Sequence, residues 1–310
     1  MYTDDNFLVA IIDRKVENNM SFPETAKYLI GSMRPKQWVK NCAVFAGLIF
    51  SKSFLHLAPV LEALYCFLLF STVSGAVYIL NDIIDKEKDE LHPVKCKRPI
   101  ASGKLDSSKA LVFSLIVLAI SLTLAALADI GLFLILFAYF FLVLVYSLKL
   151  KNVVILDVII LSMGFVLRTV GGAVVIGVWI SPWLILCTTF LALFLALNKR
   201  KNELLVLSDK AGQHKKILEY YTPELINSML SVITSATVMS YSLYTFSAGK
   251  SSYMMLTIPF VLYGIFRYQY LVMSKDSGGS PELTLFRDKP LLACIMLWII
   301  ASMVIVAFFY

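Results

Sequence analysis

Apolar residues in this chain come in long, nearly unbroken runs separated by short charged segments. Nine such runs are present, approximately Val39 to Phe54, Val60 to Leu80, Ala110 to Leu127, Ile130 to Leu148, Val153 to Ile176, Ser181 to Leu197, Ile226 to Phe246, Tyr253 to Leu271 and Leu291 to Tyr310. A helix crossing the hydrocarbon of a bilayer needs about 20 mostly apolar residues and satisfies its own backbone there. The pattern therefore predicts an all-α polytopic membrane protein with nine transmembrane helices, the first run being the shortest. Phe7 to Ile12 is too short for a signal peptide and follows Asp4 and Asp5. Residues 1–38 are expected to form an N-terminal interfacial segment, with short helices over Asp5 to Val16 and Pro23 to Ser32. Residues 39–310 are expected to form the transmembrane domain.

Composition agrees: 59% of the residues are hydrophobic and 16% charged, whereas a soluble domain carries about a quarter charged residues. Charge then orients the chain. With the amino terminus inside, the outside connections hold only Lys52 and Lys250, and the inside segments are basic throughout. The net charge of +7 thus belongs to one face, as topology requires, and suits anionic lipid and phosphorylated substrates; nucleic acid is not expected. The long segments Asn81 to Lys109 and Asn198 to Leu225 both lie inside, which puts function at the cytoplasmic surface of the cell (inner) membrane. Asn81 and Asn198 end runs four helices apart, a hint of two parallel halves. The five cysteines lack ligand spacing and read as core residues.

The chemistry concentrates where the second run ends. Asp82, Asp85 and Asp89 follow one another at i, i+3 and i+7, one face of a helix, with Asn81 beside them. Carboxylates so placed repel unless a cation sits among them, and hard oxygen ligands suit Mg²⁺ bridging to phosphates. A solvated helix extension is the alternative, since Lys86, Glu87, Lys88 and Glu90 lie here too. The following loop brings Lys95, Lys97 and Arg98, which suit phosphate oxygens. In the other long loop, Lys199 and Arg200 can pair with Glu203 on one helix face or form a second phosphate-binding surface. Asp157 and Arg168 lie within the fifth run, three turns apart with Gly164 between them; intramembrane charges are functional candidates, though Asp157 could also pair with Lys149. Gly171 and Gly172 after Arg168 permit close helix approach. At the entry to the first run, Lys36, Lys40 and Asn41 flank Trp38 and could contact a lipid phosphate.

Nine helices, an N-D-x-x-D-x-x-x-D cluster after helix 2 and charged loops after helices 2 and 6 resemble the UbiA superfamily of intramembrane transferases. The resemblance covers about Arg34 to Leu271 and implies a UbiA-like helical bundle that holds a Mg²⁺-diphosphate under its cytoplasmic loops. Members that prenylate aromatic acceptors usually carry a second D-x-x-x-D motif after helix 6; here Asn198-Lys199-Arg200-Lys201-Asn202-Glu203 takes its place. The segments RPKQWVKN (34–41), NDIIDKEKDELHPVKCKRPIASG (81–103), YSLKLK (146–151) with Asp157, GFVLRTVGGA (164–173) and Lys199-Arg200-x-x-Glu203 look more like the branch that joins phosphoribosyl diphosphate to a decaprenyl-type polyprenyl phosphate. That branch implies Mg²⁺ on Asn81, Asp82, Asp85 and Asp89. It also implies phosphate contacts from Lys97, Arg98, Lys199 and Arg200, and substrate contacts from Tyr146, Asp157 and Glu203. Arg168 and Lys149 would line the inner pocket, and Lys36 or Lys40 would guide the lipid headgroup. Transfer of a polyprenyl group to an aromatic acceptor is the alternative. Transport is disfavoured because the polar residues gather near one face. Self-association as a homo-oligomer stays open.

Overall fold

The computed structural model describes residues 22–207, 216–247, 251–274, 284 and 286–309, and among them all regular structure is helical. The helix expected over Asp5 to Val16 lies outside these residues, as do Lys250 and Lys275. The α-helices run α1 (Phe22–Ser32), α2 (Phe45–Phe50), α3 (Leu57–Ile84), α4 (Lys86–Glu90), α5 (Ser107–Ala128), α6 (Ile130–Leu148), α7 (Leu156–Val175), α8 (Pro182–Leu207), α9 (Pro223–Ser247), α10 (Ile258–Met273) and α11 (Lys289–Phe309). Seven helices among the described residues are long and apolar enough to cross a membrane: α3, α5, α6, α7, α8, α10 with the turn before it, and α11.

The two other expected spans differ for separate reasons. Val39 to Phe54 is broken into a 3-10 segment, Pro35–Val44, and the six-residue α2. Its backbone lies directly against α7. A Cβ on Gly172 would stand 2.0 Å from the Val44 carbonyl oxygen, and one on Gly47 would stand 3.0 Å from the Ala173 Cβ. The close approach expected at Gly172 is therefore present, made by a bent segment rather than a straight helix. Helix α9 has 25 residues but carries Asn227, Ser228, Ser231, Thr234, Ser235, Thr237 and Ser240, and it is not among the seven.

Helix ends follow local chemistry. Asp106 caps α5 by accepting from the Ser108 and Lys109 N–H groups at 3.1 and 3.0 Å, and Asp129 caps α6 through Leu132 N–H at 2.7 Å. The helices then build two main cores. One joins α3, α5 and α6 through Phe70, Leu118, Leu132, Leu136 and Tyr139, with Val44 of the bent segment. The other joins α8 to α11 through Phe194, Ile226, Leu230, Tyr268 and Leu291, together with Tyr221 of the α8–α9 connection. A smaller cluster packs Met33 against Ile79, Ile100, Leu105 and Ala110. It seats the end of α1 and the 91–106 loop over the end of α3, so the expected N-terminal segment contributes to the site.

Candidate active site

Helix α3 ends at Ile84 and α4 starts at Lys86, yet helical hydrogen bonds carry through the junction: Asp85 N–H donates to Asn81 O at 2.9 Å and Asp89 N–H to Asp85 O at 2.8 Å. The three aspartates therefore keep their near-helical spacing, but each meets cations brought by other segments. Asp82, buried at 3% exposure, accepts from Arg34 Nη2 and, at 3.0 Å, from Arg98 Nη1. The same Arg98 nitrogen contacts Asp89 Oδ2, and Lys95 Nζ lies 3.5 Å from Asp89 Oδ1. Asp85 turns to Lys151, whose Nζ donates to both carboxylate oxygens at 2.6 and 2.8 Å.

Among the described residues, no three acidic, His or Cys side chains converge closely enough to hold a metal by themselves. Asp82 and Asp89 share the Arg98 guanidinium, whereas Asp85 is drawn aside to Lys151. The donor set nonetheless fits a hard cation. One guanidinium nitrogen already stands between two buried carboxylates, and the remaining ligand candidates are oxygens. Three carboxylates face four cationic side chains, Arg34, Lys95, Arg98 and Lys151, so the cluster as it stands attracts an anion more than a free metal ion.

The backbone helps deliver these groups. Arg34 adopts φ 53°, a left-handed conformation uncommon for a residue with a side chain, between α1 and the 3-10 segment; its guanidinium also lies 4.9 Å from the centre of the Tyr78 ring. The turn Leu150–Asn152 after α6 carries Lys151 to Asp85 and leaves Lys149 exposed. Lys36 and Lys97 are exposed, Lys40 donates to Gln37 Oε1 at 3.0 Å, and Lys199 is half-buried.

A second polar network joins the halves of the bundle. Arg200 donates from Nε to Asp157 Oδ2 at 2.7 Å, from Nη1 to Glu203 Oε2, and from Nη2 to Tyr146 Oη at 3.5 Å. Tyr221 donates to Asp157 Oδ1 at 2.6 Å. Burial, followed by this hydrogen bond to Asp157, pushes the Tyr221 phenol above its ordinary range. The Arg200–Glu203 pairing is the one that the i, i+3 spacing allows. Asp157 is paired with Arg200 rather than Lys149, because α8 brings a buried guanidinium against the start of α7.

Arg168 lies in a third network. It donates to Asn41 Oδ1 at 2.6 Å, Gly164 O at 2.7 Å and Tyr139 Oη at 2.7 Å, and Asn41 in turn donates to Ser71 Oγ at 3.0 Å. This network ties the bent segment, α3, α6 and α7 together. Arg34, Lys151, Tyr139 and Tyr221, which contact these groups, are not among the residues the spacing points to. Arg34 and Lys151 stood inside quoted motifs; the two tyrosines gave no local signal.

The chain is a membrane-embedded helical bundle with an acid-and-base cluster where its helices end, and residues 42–289 match the model of the UbiA prenyltransferase family, to which this chain belongs. Within that family it is similar to decaprenyl-phosphate phosphoribosyltransferases. The protein of that name from Corynebacterium glutamicum is 32% identical over 87% of this chain and 84% of its own length, and that from Mycolicibacterium smegmatis is 28% identical over 87% and 90%. The fold matches a UbiA homolog from Archaeoglobus fulgidus solved bound to DMAPP and Mg²⁺, with a TM-score of 0.69 at 20% identity over 90% of this chain and 99% of that one. The protein is thus an enzyme, a transferase of this family.

Proposed function

We propose that the protein transfers the 5-phosphoribosyl group of phosphoribosyl diphosphate to a polyprenyl phosphate, releasing diphosphate, at the cytoplasmic face of the inner membrane. The chain would cross with its amino terminus inside and with nine membrane segments, counting α9 and the bent 35–50 segment. The observation that carries this reading is the matched set at the end of α3: three carboxylates and four cations drawn from separate segments. That set suits a metal-bound diphosphate, and the relatives named above are phosphoribosyltransferases.

In this reading the phosphate oxygen of the lipid attacks C1 of the ribose as the C1–O bond to diphosphate breaks. The nucleophile is already anionic, so positioning and charge neutralisation suffice without a general base. Asp82, Asp85 and Asp89, with Asn81, would hold Mg²⁺, which when bound neutralises charge on the leaving diphosphate. Arg34, Lys95, Lys97, Arg98 and Lys151 then turn to phosphate oxygens. Arg200, held by Asp157 and Glu203, supports the ribose side of the site, with Tyr146 and Lys199 beside it; Lys36 and Lys40 face the lipid headgroup. Arg168 braces the bent segment on which Lys40 and Asn41 lie.

The test supplies purified protein with phosphoribosyl diphosphate, polyprenyl phosphates of several lengths and Mg²⁺, and identifies the lipid product by mass spectrometry. A lipid-linked phosphoribose is expected. No such product, together with transfer from a prenyl diphosphate to an aromatic acid, would overturn the assignment.

A further inference from the structure

The connector between α6 and α7, residues 149–155, is held at both ends by side chains from elsewhere. Near its start, Lys151 clasps Asp85 of the acidic cluster. At its end, Ile155 adopts φ 69°, a region that a β-branched residue enters only where the surroundings impose it. The Ile155 N–H donates to Tyr221 Oη at 2.8 Å, and the hydrogen of that hydroxyl goes to Asp157 Oδ1 at 2.6 Å. The other Asp157 oxygen receives Arg200. One hydroxyl therefore stands where the strained connector, the start of α7 and the end of α8 meet. The Tyr221 ring, 2% exposed, packs in the core of α8 to α11. The ring serves packing, and the hydroxyl can be removed without it.

We propose that the Tyr221 hydroxyl is a positioning group for the donor site, fixing the α6–α7 connector so that Lys151 meets Asp85 while Asp157 meets Arg200. Tyr221 touches neither substrate. It acts through Ile155 and Asp157, and its effect falls on the phosphoribosyl donor rather than on the lipid. The inference rests on the transfer reading above.

The experiment compares the full-length wild type with Tyr221→Phe in steady-state transfer, varying each substrate in turn, alongside thermal unfolding in detergent. The donor KM is expected to rise about tenfold, the scale of one lost hydrogen bond to a charged group, with the lipid KM unchanged. Adding Tyr221→Phe to Asp157→Asn should raise the donor KM by less than it does alone, because the two act as one unit. An unchanged donor KM, or equal rises in both KM values, would overturn the proposal. Should Tyr221→Phe fail to fold, Ile155→Gly carries the test in its place: it frees the connector at its left-handed residue and leaves Asp157 and Arg200 intact. The donor KM should then rise with the lipid KM unchanged, and an unchanged donor KM would overturn the proposal. A wild type inactive with phosphoribosyl diphosphate overturns the transfer reading and this proposal with it. An active wild type beside an unaffected variant overturns this proposal alone.

Discussion

Replacing Arg98 by Gln should turn a site that resists free metal into one that is stabilised by it. Arg98 Nη1 stands between Asp82 and Asp89, which are 3% and 2% exposed. Removing one partner of a buried charge pair costs about 3–5 kcal/mol. Here the Arg98 side chain is 26% exposed, and Arg34 and Lys95 still reach the two carboxylates. The loss should therefore fall below that range. A divalent ion that enters the gap at about a hundred times its dissociation constant returns about 2.7 kcal/mol. Thermal unfolding in detergent, followed by intrinsic fluorescence with and without Mg²⁺, reads both effects. The variant should unfold at a lower temperature without metal and be raised by Mg²⁺ alone. The wild type should respond to Mg²⁺ only when diphosphate accompanies it. An equal response to Mg²⁺ alone in both proteins would refute the idea that Arg98 holds the cation's place.

Three further outcomes are expected. Asp85→Ala should reduce transfer at least about a hundredfold, as loss of charge stabilisation at a reacting centre does, while the protein still elutes as a folded species; undiminished turnover would make the cluster structural. Arg168→Ala strands the Asn41, Tyr139 and Gly164 oxygens, at about 1–3 kcal/mol for each one left unsatisfied. The yield of monodisperse protein should fall; a fully stable but inactive variant would instead place Arg168 against substrate. Gly172→Ala drives a methyl group into the Val44 backbone, so its unfolding temperature should drop, and an unchanged value would show that the bent segment yields.

Much of the site was legible because its signals are local. The i, i+3, i+7 spacing of Asp82, Asp85 and Asp89 survives the break between α3 and α4, since the helical hydrogen bonds continue across it. Gly172 after Arg168 signalled a close approach, and the approach is there. Partner choice was not legible in the same way. Arg34 and Lys151 reach Asp82 and Asp85 across 48 and 66 residues of chain. Lys151 rather than Lys149 does so because the Leu150–Asn152 turn rotates one inward and leaves the other exposed.

By itself the sequence determined the solvent, the helical architecture and the end of the bundle that carries charge, because run length and the spacing of like residues are properties of neighbours along the chain. Only the tertiary structure decided that Asp82 draws Arg34 and Asp85 draws Lys151, that Asp157 belongs to Arg200 and Tyr221, and that the first apolar run bends against α7. Those outcomes depend on which distant segments the packed cores bring within a few ångströms, and ion pairs and hydrogen bonds form only at that range.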